Sequence, residues 1–428
     1  MISWLLIQKP ILKPFSPNEA MVKWFFLFLT LAAPLVSEIK VYVSNQAGTV
    51  SVISVETGMV IATIPVGSSP TGIDVSPDGS IAYVANQVSD NISIIDTSTD
   101  TVIGTITVGN TPTYPAFSPN GTIAYVTNLF DGTISVIDVN SSVEILTIGI
   151  GGAPVDVVFT PNGQKAYVTH FIGDNVTVID VATNSVLTTV PVGDGPADSE
   201  VVTPDGTKVY VPNLNSDNVS VIATKPDTVI ATVPVADQPI STAITPDGTK
   251  VYIGSQANLP TDFIFIIDVA TDTVIGTIEV GNNPNGIDFT PDGTRAYVAN
   301  RFSNNVSVID AATDTVIATI AVGPQPVAIA ITPSLTMDVL GKGEMDIFLT
   351  QTELFNRIVW SKPDGAIVKE YRIYRDAALT DLIGVVSASS PLVFEDHNKR
   401  KGEVNTYFIV ALNGPSQVGF GSVQIKTD

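Results

Sequence analysis

Seven times the chain returns to a Tyr-Val-x-Asn-like block: VYVSN, AYVAN, AYVTN, AYVTH, VYVPN, VYIGS and AYVAN. Their tyrosines are Tyr42, Tyr83, Tyr125, Tyr167, Tyr210, Tyr252 and Tyr297, separated by 41, 42, 42, 43, 42 and 45 residues. A fixed period near 42 in a strand-rich sequence means that one supersecondary unit is repeated. In the copy from Pro70 to Gly109, Ile73–Ser76 and Ile81–Ala85 flank the turn Pro77-Asp78-Gly79. Ile92–Ile95 and Val102–Ile106 follow, separated by a second turn that begins at Asp96. Four short β-branched runs with turn residues between them predict one antiparallel four-stranded sheet.

The first three runs are apolar on both faces, as in a sheet sandwiched between neighbours. Seven such sheets bury both faces only in a ring, which also protects strand edges. The ends support closure. The first copy begins at its second strand, Lys40–Ser44, and the last stops after one strand, Val327–Thr332. The two fragments complete one blade. The predicted fold is all-β: a seven-bladed β-propeller over residues 38–334, then a small β-sandwich over 335–428.

The blocks AYVTN at 124–128, SPDG at 76–79 and VSVID at 306–310, with the Val-Gly-x-x-Pro turns, resemble the YVTN-repeat propellers. That family includes surface-layer and other exported proteins of archaea and bacteria. The resemblance covers residues 38–334. It departs at Gly254-Ser255, where the Asn is lost, at His170, which replaces another Asn, and in the longer loop Ser255–Asp262. In residues 335–428 the period stops, and Trp360, Tyr371 and Tyr407 resemble the core aromatics of a fibronectin type III module. This implies a spacer or adhesive domain with no catalytic role.

The net charge is −22, and residues 38–334 carry the excess with 29 acidic and 7 basic side chains. Such a surface repels phosphates, which argues against nucleic acid and anionic lipid and favours cations or basic proteins. There is no cysteine, so thiolate chemistry, iron–sulfur clusters and c-type haem attachment are excluded. Residues 24–36 form an apolar run behind Met21, Val22 and Lys23, too short to span a bilayer comfortably and matching a signal-peptide core. The expected leader is 1–37, with the signal in 21–37, a cut after Ser37 and Met21 as a candidate start. An uncleaved anchor or a buried segment is the other reading of this run. The expected location is the periplasm, the cell surface or the exterior, with no transmembrane segment in the mature chain.

Two sets of residues are candidate sites. The inner strands hold the carboxylates Asp74, Asp156, Asp198, Glu200 and Asp288. Such a cluster suits either a calcium ion, which takes six to eight oxygen ligands, or a solvated channel rim, and no compact calcium loop is present. The loops after the second strands carry Leu129, Phe130, His170, Phe171, Ile172, Leu214 and Phe302, with Tyr114 expected on the same side. These form either an exposed patch for a protein or small-ligand partner or a plug between blades. His170 is a candidate haem ligand or general base, set against a plain replacement for Asn. The aspartates closing the third strands, such as Asp96 and Asp138, are expected to cap their own turns. Six Asn-x-Ser/Thr triplets, from Asn91 to Asn305, are acceptors for glycosylation where the host has the machinery. No catalytic residue, resident cofactor or nucleophile elbow is expected. The expected function is an exported, non-catalytic interaction scaffold. The alternative is an enzyme with an axial site, lactonase-like or dependent on a redox cofactor.

Overall fold

The computed structural model describes residues 38–333, except 198, 237 and 257–261, and the segments 339–347, 352–360, 368–375, 381–389, 392–396, 404–413 and 416–426. The expected leader and His397 lie outside the described residues.

Seven four-stranded antiparallel sheets follow one another along the chain. Blade 2 is representative: an inner strand Pro70–Val75, a second strand Ile81–Asn86, a third Asn91–Asp96 and an outer strand Thr101–Thr107. Blade 1 is built from both ends of the repeat region. Its inner strand is Pro326–Ile331, paired antiparallel to Lys40–Asn45 with Val41 opposite Ile331 and Val43 opposite Ile329. Thr332 and Lys40 add hydrogen bonds across the same junction, N–H to carbonyl at 3.0 Å and N–H to Oγ1 at 2.8 Å. The two partial copies thus close the ring as a hydrogen-bonded ladder.

The repeated tyrosine is the main filler between blades, and all seven are completely buried. Its ring packs on the inner strand of the next blade: Tyr83 on Phe117, Tyr125 on Phe159 and Tyr252 on Phe289, with centroids 4.5, 4.8 and 4.9 Å apart. In five of the seven copies its hydroxyl hydrogen-bonds the outer turn of that neighbour. Tyr167 donates to Asp227 and Tyr210 to Asp272, each at 2.5 Å. Lys165 and Lys208 pair with the same carboxylates at 2.6 and 2.8 Å. Each Lys-x-Tyr therefore ties one wedge to the next through a single acid.

The C-terminal segment forms two further sheets. One has three strands in the order Val339–Ile347, Thr352–Trp360, Val393–Asp396. The other has four, in the order Leu382–Ser387, Glu370–Tyr374, Val404–Asn413, Ser416–Lys426. Ile358 and Trp360 of the first share a core with Tyr371, Ile373, Tyr407 and Ile409 of the second. The Trp360 and Tyr371 rings meet at 5.4 Å. This is the small sandwich expected after the ring.

Candidate functional site: the loop face and the inner carboxylates

The loop face is shaped by a packing rule between two motifs. The Asn ending each second strand is buried. In blade 2, Asn86 donates to Asn91 at 2.8 Å and to Ser93 at 2.9 Å, pinning the following loop. The Gly of the preceding Val-Gly-x-x-Pro turn lies against that amide, and a Cβ on Gly67 would meet Asn86 Cγ at 2.5 Å. The two departures from the repeat obey the same rule. His170 fills the Asn slot, with Nε2 2.7 Å from Thr177 Oγ1. The larger ring presses on Gly152, whose Cβ would stand 2.4 Å from Nδ1, and both Gly151 and Gly152 take positive φ. In blade 6 the slot holds Ser255, which donates to the Ala236 carbonyl at 2.6 Å. There a small side chain faces the one turn that carries Ala in place of Gly.

The pinned loops present apolar side chains to solvent. Phe130 is 75% exposed and Ile172 is 68% exposed, with Phe171 also exposed. Val88, not singled out in the sequence, is 70% exposed at the matching position of blade 2. Blades 2, 3 and 4 are consecutive, so these side chains occupy one sector of the face. Leu129 and Leu214 are half-buried. Phe302 is exposed on blade 7, with the Arg301 guanidinium 5.6 Å from its ring centre.

Two expected members of the face lie elsewhere. His170 is buried, because the Asn slot is an interior position, and burial lowers its pKa. Tyr114 belongs to the inner strand Pro112–Phe117, with its ring over Gly72 of blade 2. The bare Gly72 backbone makes room for that ring.

The inner-strand carboxylates sit at blade seams. Asp74 accepts the N–H of Val75 with one oxygen and that of Phe117, on the next blade, with the other, both at 2.8 Å. Asp288 does the same with Phe289 and with Ile331 of the closing strand, at 2.8 and 2.9 Å. Asp156 accepts from Val157 at 2.8 Å and from Glu200 N–H at 3.3 Å. These groups therefore act first as staples between wedges. Asp74 and Asp288 keep some surface, yet atoms crowd them closely, and loss of hydration pushes each carboxyl up to about 7. Glu200 is buried, accepts from Thr169 at 3.0 Å, and has its pKa raised first by burial and then by the charge of Asp156. Asp198 lies outside the described residues. Among the described residues no three His, Cys, Asp or Glu side chains cluster as a metal site.

The aspartates that close third strands cap their own turns. Asp138 accepts from the Ser141 hydroxyl at 2.7 Å and N–H at 2.8 Å, and Asp268 from the Thr271 hydroxyl at 2.7 Å and N–H at 2.8 Å; the hydroxyl bonds first, and then the N–H bonds, hold their pKa values low. No helix among the described residues is long and apolar enough to cross a membrane.

The comparisons with known proteins agree with this architecture. The family described as lactonase, 7-bladed beta-propeller, matches residues 103–242. No curated protein sequence matches the chain. Among solved structures, a Kuenenia stuttgartiensis hydrazine synthase chain is 25% identical with a TM-score of 0.59, over 68% of this chain and 100% of that one. A functionally unknown protein from Desulfotomaculum acetoxidans is 18% identical with a TM-score of 0.62, over 69% and 99%. A putative 6-phosphogluconolactonase from Bacteroides uniformis is 20% identical with a TM-score of 0.58, over 69% and 99%. The chain is a seven-bladed β-propeller, and in that fold it is similar to all three.

Proposed function

We propose that the protein is a non-catalytic binding scaffold whose loop face, over blades 2 to 4, takes a cationic polypeptide segment with apolar side chains. One observation carries this reading. Val88, Phe130, Phe171 and Ile172 are exposed in the corresponding loops of three consecutive blades, which also expose Asp90, Asp131 and Asp174 and contain no Lys or Arg. Aromatic anchors within a charged surround are the usual anatomy of an interface. The sign of the surround selects a basic partner and speeds its encounter. The side chains need no rearrangement to be reached, because each loop is held by the buried Asn86, Asn128 or His170 at its start.

The rest of the chain fits an exported YVTN-type protein. The leader would direct export to the periplasm, the cell surface or the exterior. The sandwich, with three strands against four, has a core like that of a fibronectin type III module and would act as a spacer. Calorimetric titration with an amphipathic Lys- and Leu-containing peptide tests the reading. Binding to the intact protein, weakened at least about tenfold in Phe130→Ala/Phe171→Ala, supports it. Equal affinity in the two proteins overturns it.

A second reading, lactone hydrolysis at the axis, is favoured by the lactonase match over 103–242 and by the buried Asp156–Glu200 pair, in which one carboxyl stays protonated well above the usual range. Two features weigh against it. The inner carboxylates are engaged with backbone N–H groups, and the described inner strands hold no Lys or Arg to receive a phosphorylated sugar lactone. Hydrolysis of a neutral sugar lactone that disappears in Glu200→Gln would establish this second reading.

A further inference from the structure

The outer strand of every blade carries the same irregularity. In blade 2, Ile94 pairs with Gly104 and Ile95 with Val102, so Ile103 is skipped. In blade 3 the skipped residue is Ile145, between Leu146 and Glu144, and in blade 6 it is Ile275, between Gly276 and Val274. The same bulge skips Ile61, Leu187, Ile230 and Ile317. All seven skipped side chains are exposed, from 45% at Ile61 to 59% at Ile103. A bulge re-aims a side chain and spoils the edge for strand addition. Here it turns one large aliphatic group outward on each blade. The result is a belt of Ile and Leu around the ring, flanked by further exposed Val residues such as Val102 and Val316.

The belt is also where charge is missing. In the seven outer strands the only ionisable side chains are Glu144 and Glu279. The repeat region as a whole has an excess of 22 acids. Two copies meeting face to face would oppose their carboxylates, whereas two copies meeting rim to rim would not. A band of exposed aliphatic side chains recurring on every blade marks an association site. We propose that the rim is a self-association surface, on which the bulged aliphatic side chains of one copy pack against those of a second copy lying beside it. The contact is made by side chains, since the bulge interrupts the backbone ladder that strand addition would need.

Sedimentation velocity of the full chain at about 1 M salt, where charges are screened beyond about 3 Å, tests this. The intact protein is expected to form concentration-dependent species heavier than a monomer. Replacing all seven skipped residues by Lys lowers the net negative charge, so a general charge effect would strengthen association. The proposal predicts its loss. Val88→Lys/Phe130→Lys on the loop face should associate like the intact protein. If the seven-Lys variant does not fold, the corresponding seven-Thr variant, which keeps β-propensity, carries the same prediction. An intact protein that stays monomeric at high concentration, or a folded rim variant that associates undiminished, would overturn the proposal.

Discussion

Gly109 lies so close to Asn128 that a methyl group on residue 109 would stand 2.6 Å from the amide carbon. Asn128 in turn donates to Thr133 at 3.1 Å and Ser135 at 3.0 Å, holding the loop that displays Phe130. One glycine and one amide thus connect a turn on the repeat boundary to the surface proposed to bind. Gly109→Ala should destabilise the ring by about 1–3 kcal/mol, the usual cost of overpacking. Thermal unfolding followed by circular dichroism would measure it.

Blade 6 supplies the reciprocal case. Ser255→Asn alone meets the Ala236 methyl and should destabilise, whereas Ser255→Asn with Ala236→Gly restores the geometry of the other blades. The double-mutant cycle should give a favourable coupling of about 1 kcal/mol or more. Additive effects would mean that the pairing of Gly with Asn is incidental.

The seams between wedges depend on acids that serve two partners. Asp272 takes the Tyr210 hydroxyl and the Lys208 ammonium together, at 2.5 and 2.8 Å. Asp272→Ala leaves the buried Tyr210 hydroxyl without its acceptor and the partly buried Lys208 ammonium with only the Val269 carbonyl. The expected loss is about 1–3 kcal/mol. Asp272→Asn, which keeps an acceptor, should lose less. Denaturant unfolding of both variants checks the order.

The stapling carboxyls predict a pH dependence. Asp74 and Asp288 hold their protons to about pH 7 in the fold, against 3.8 for an ordinary aspartate. Between those values the folded chain binds more protons than the unfolded one, so stability falls as pH rises through that window. The melting temperature should be higher at pH 5 than at pH 7.5. The slope should shrink in Asp74→Asn/Asp288→Asn, by about 1 kcal/mol or more per group, since one unit of pKa corresponds to 1.36 kcal/mol. A flat profile in the intact protein would show that the two staples are charged throughout.

Much of the ring was legible because its signals are local and repeated. Tyr42 to Tyr297 marks the second strands, and the split between Lys40–Asn45 and Pro326–Ile331 announces the closing blade. Phe130, Phe171 and Phe302 stood out because each occupies a place where Ser, Gly or Asn is usual, but whether they were exposed or plugged the gaps between blades was open until the fold showed them exposed. What the chain order hides is the neighbour across a seam. Tyr210 finds Asp272 62 residues away. The signal was present, as an Asp or Asn four residues after the end of most third strands, but it reads as turn chemistry until blades are set side by side. The inner carboxylates were misleading for the same reason: sequence shows that Asp74 shares a strand with apolar residues, not that the Phe117 N–H lies against it. His170 looked like a loop residue because only the fold shows that the Asn slot is interior. The rim bulge is a matter of register, which period alone does not encode.

The seams, the loop face and the rim all require one closed ring, and the seam between residues 40–45 and 326–331 is where closure can be tested directly. The measurement is the melting temperature of the chain with residues 326–333 replaced by a flexible Gly/Ser segment of equal length. Loss of an entire inner strand and its staple from Asp288 should lower it by about 10 °C or more, given roughly 2–4 °C per kcal/mol for domains of somewhat smaller size. An unchanged melting temperature would mean that the first and last copies do not share a blade, and the closed propeller would be wrong.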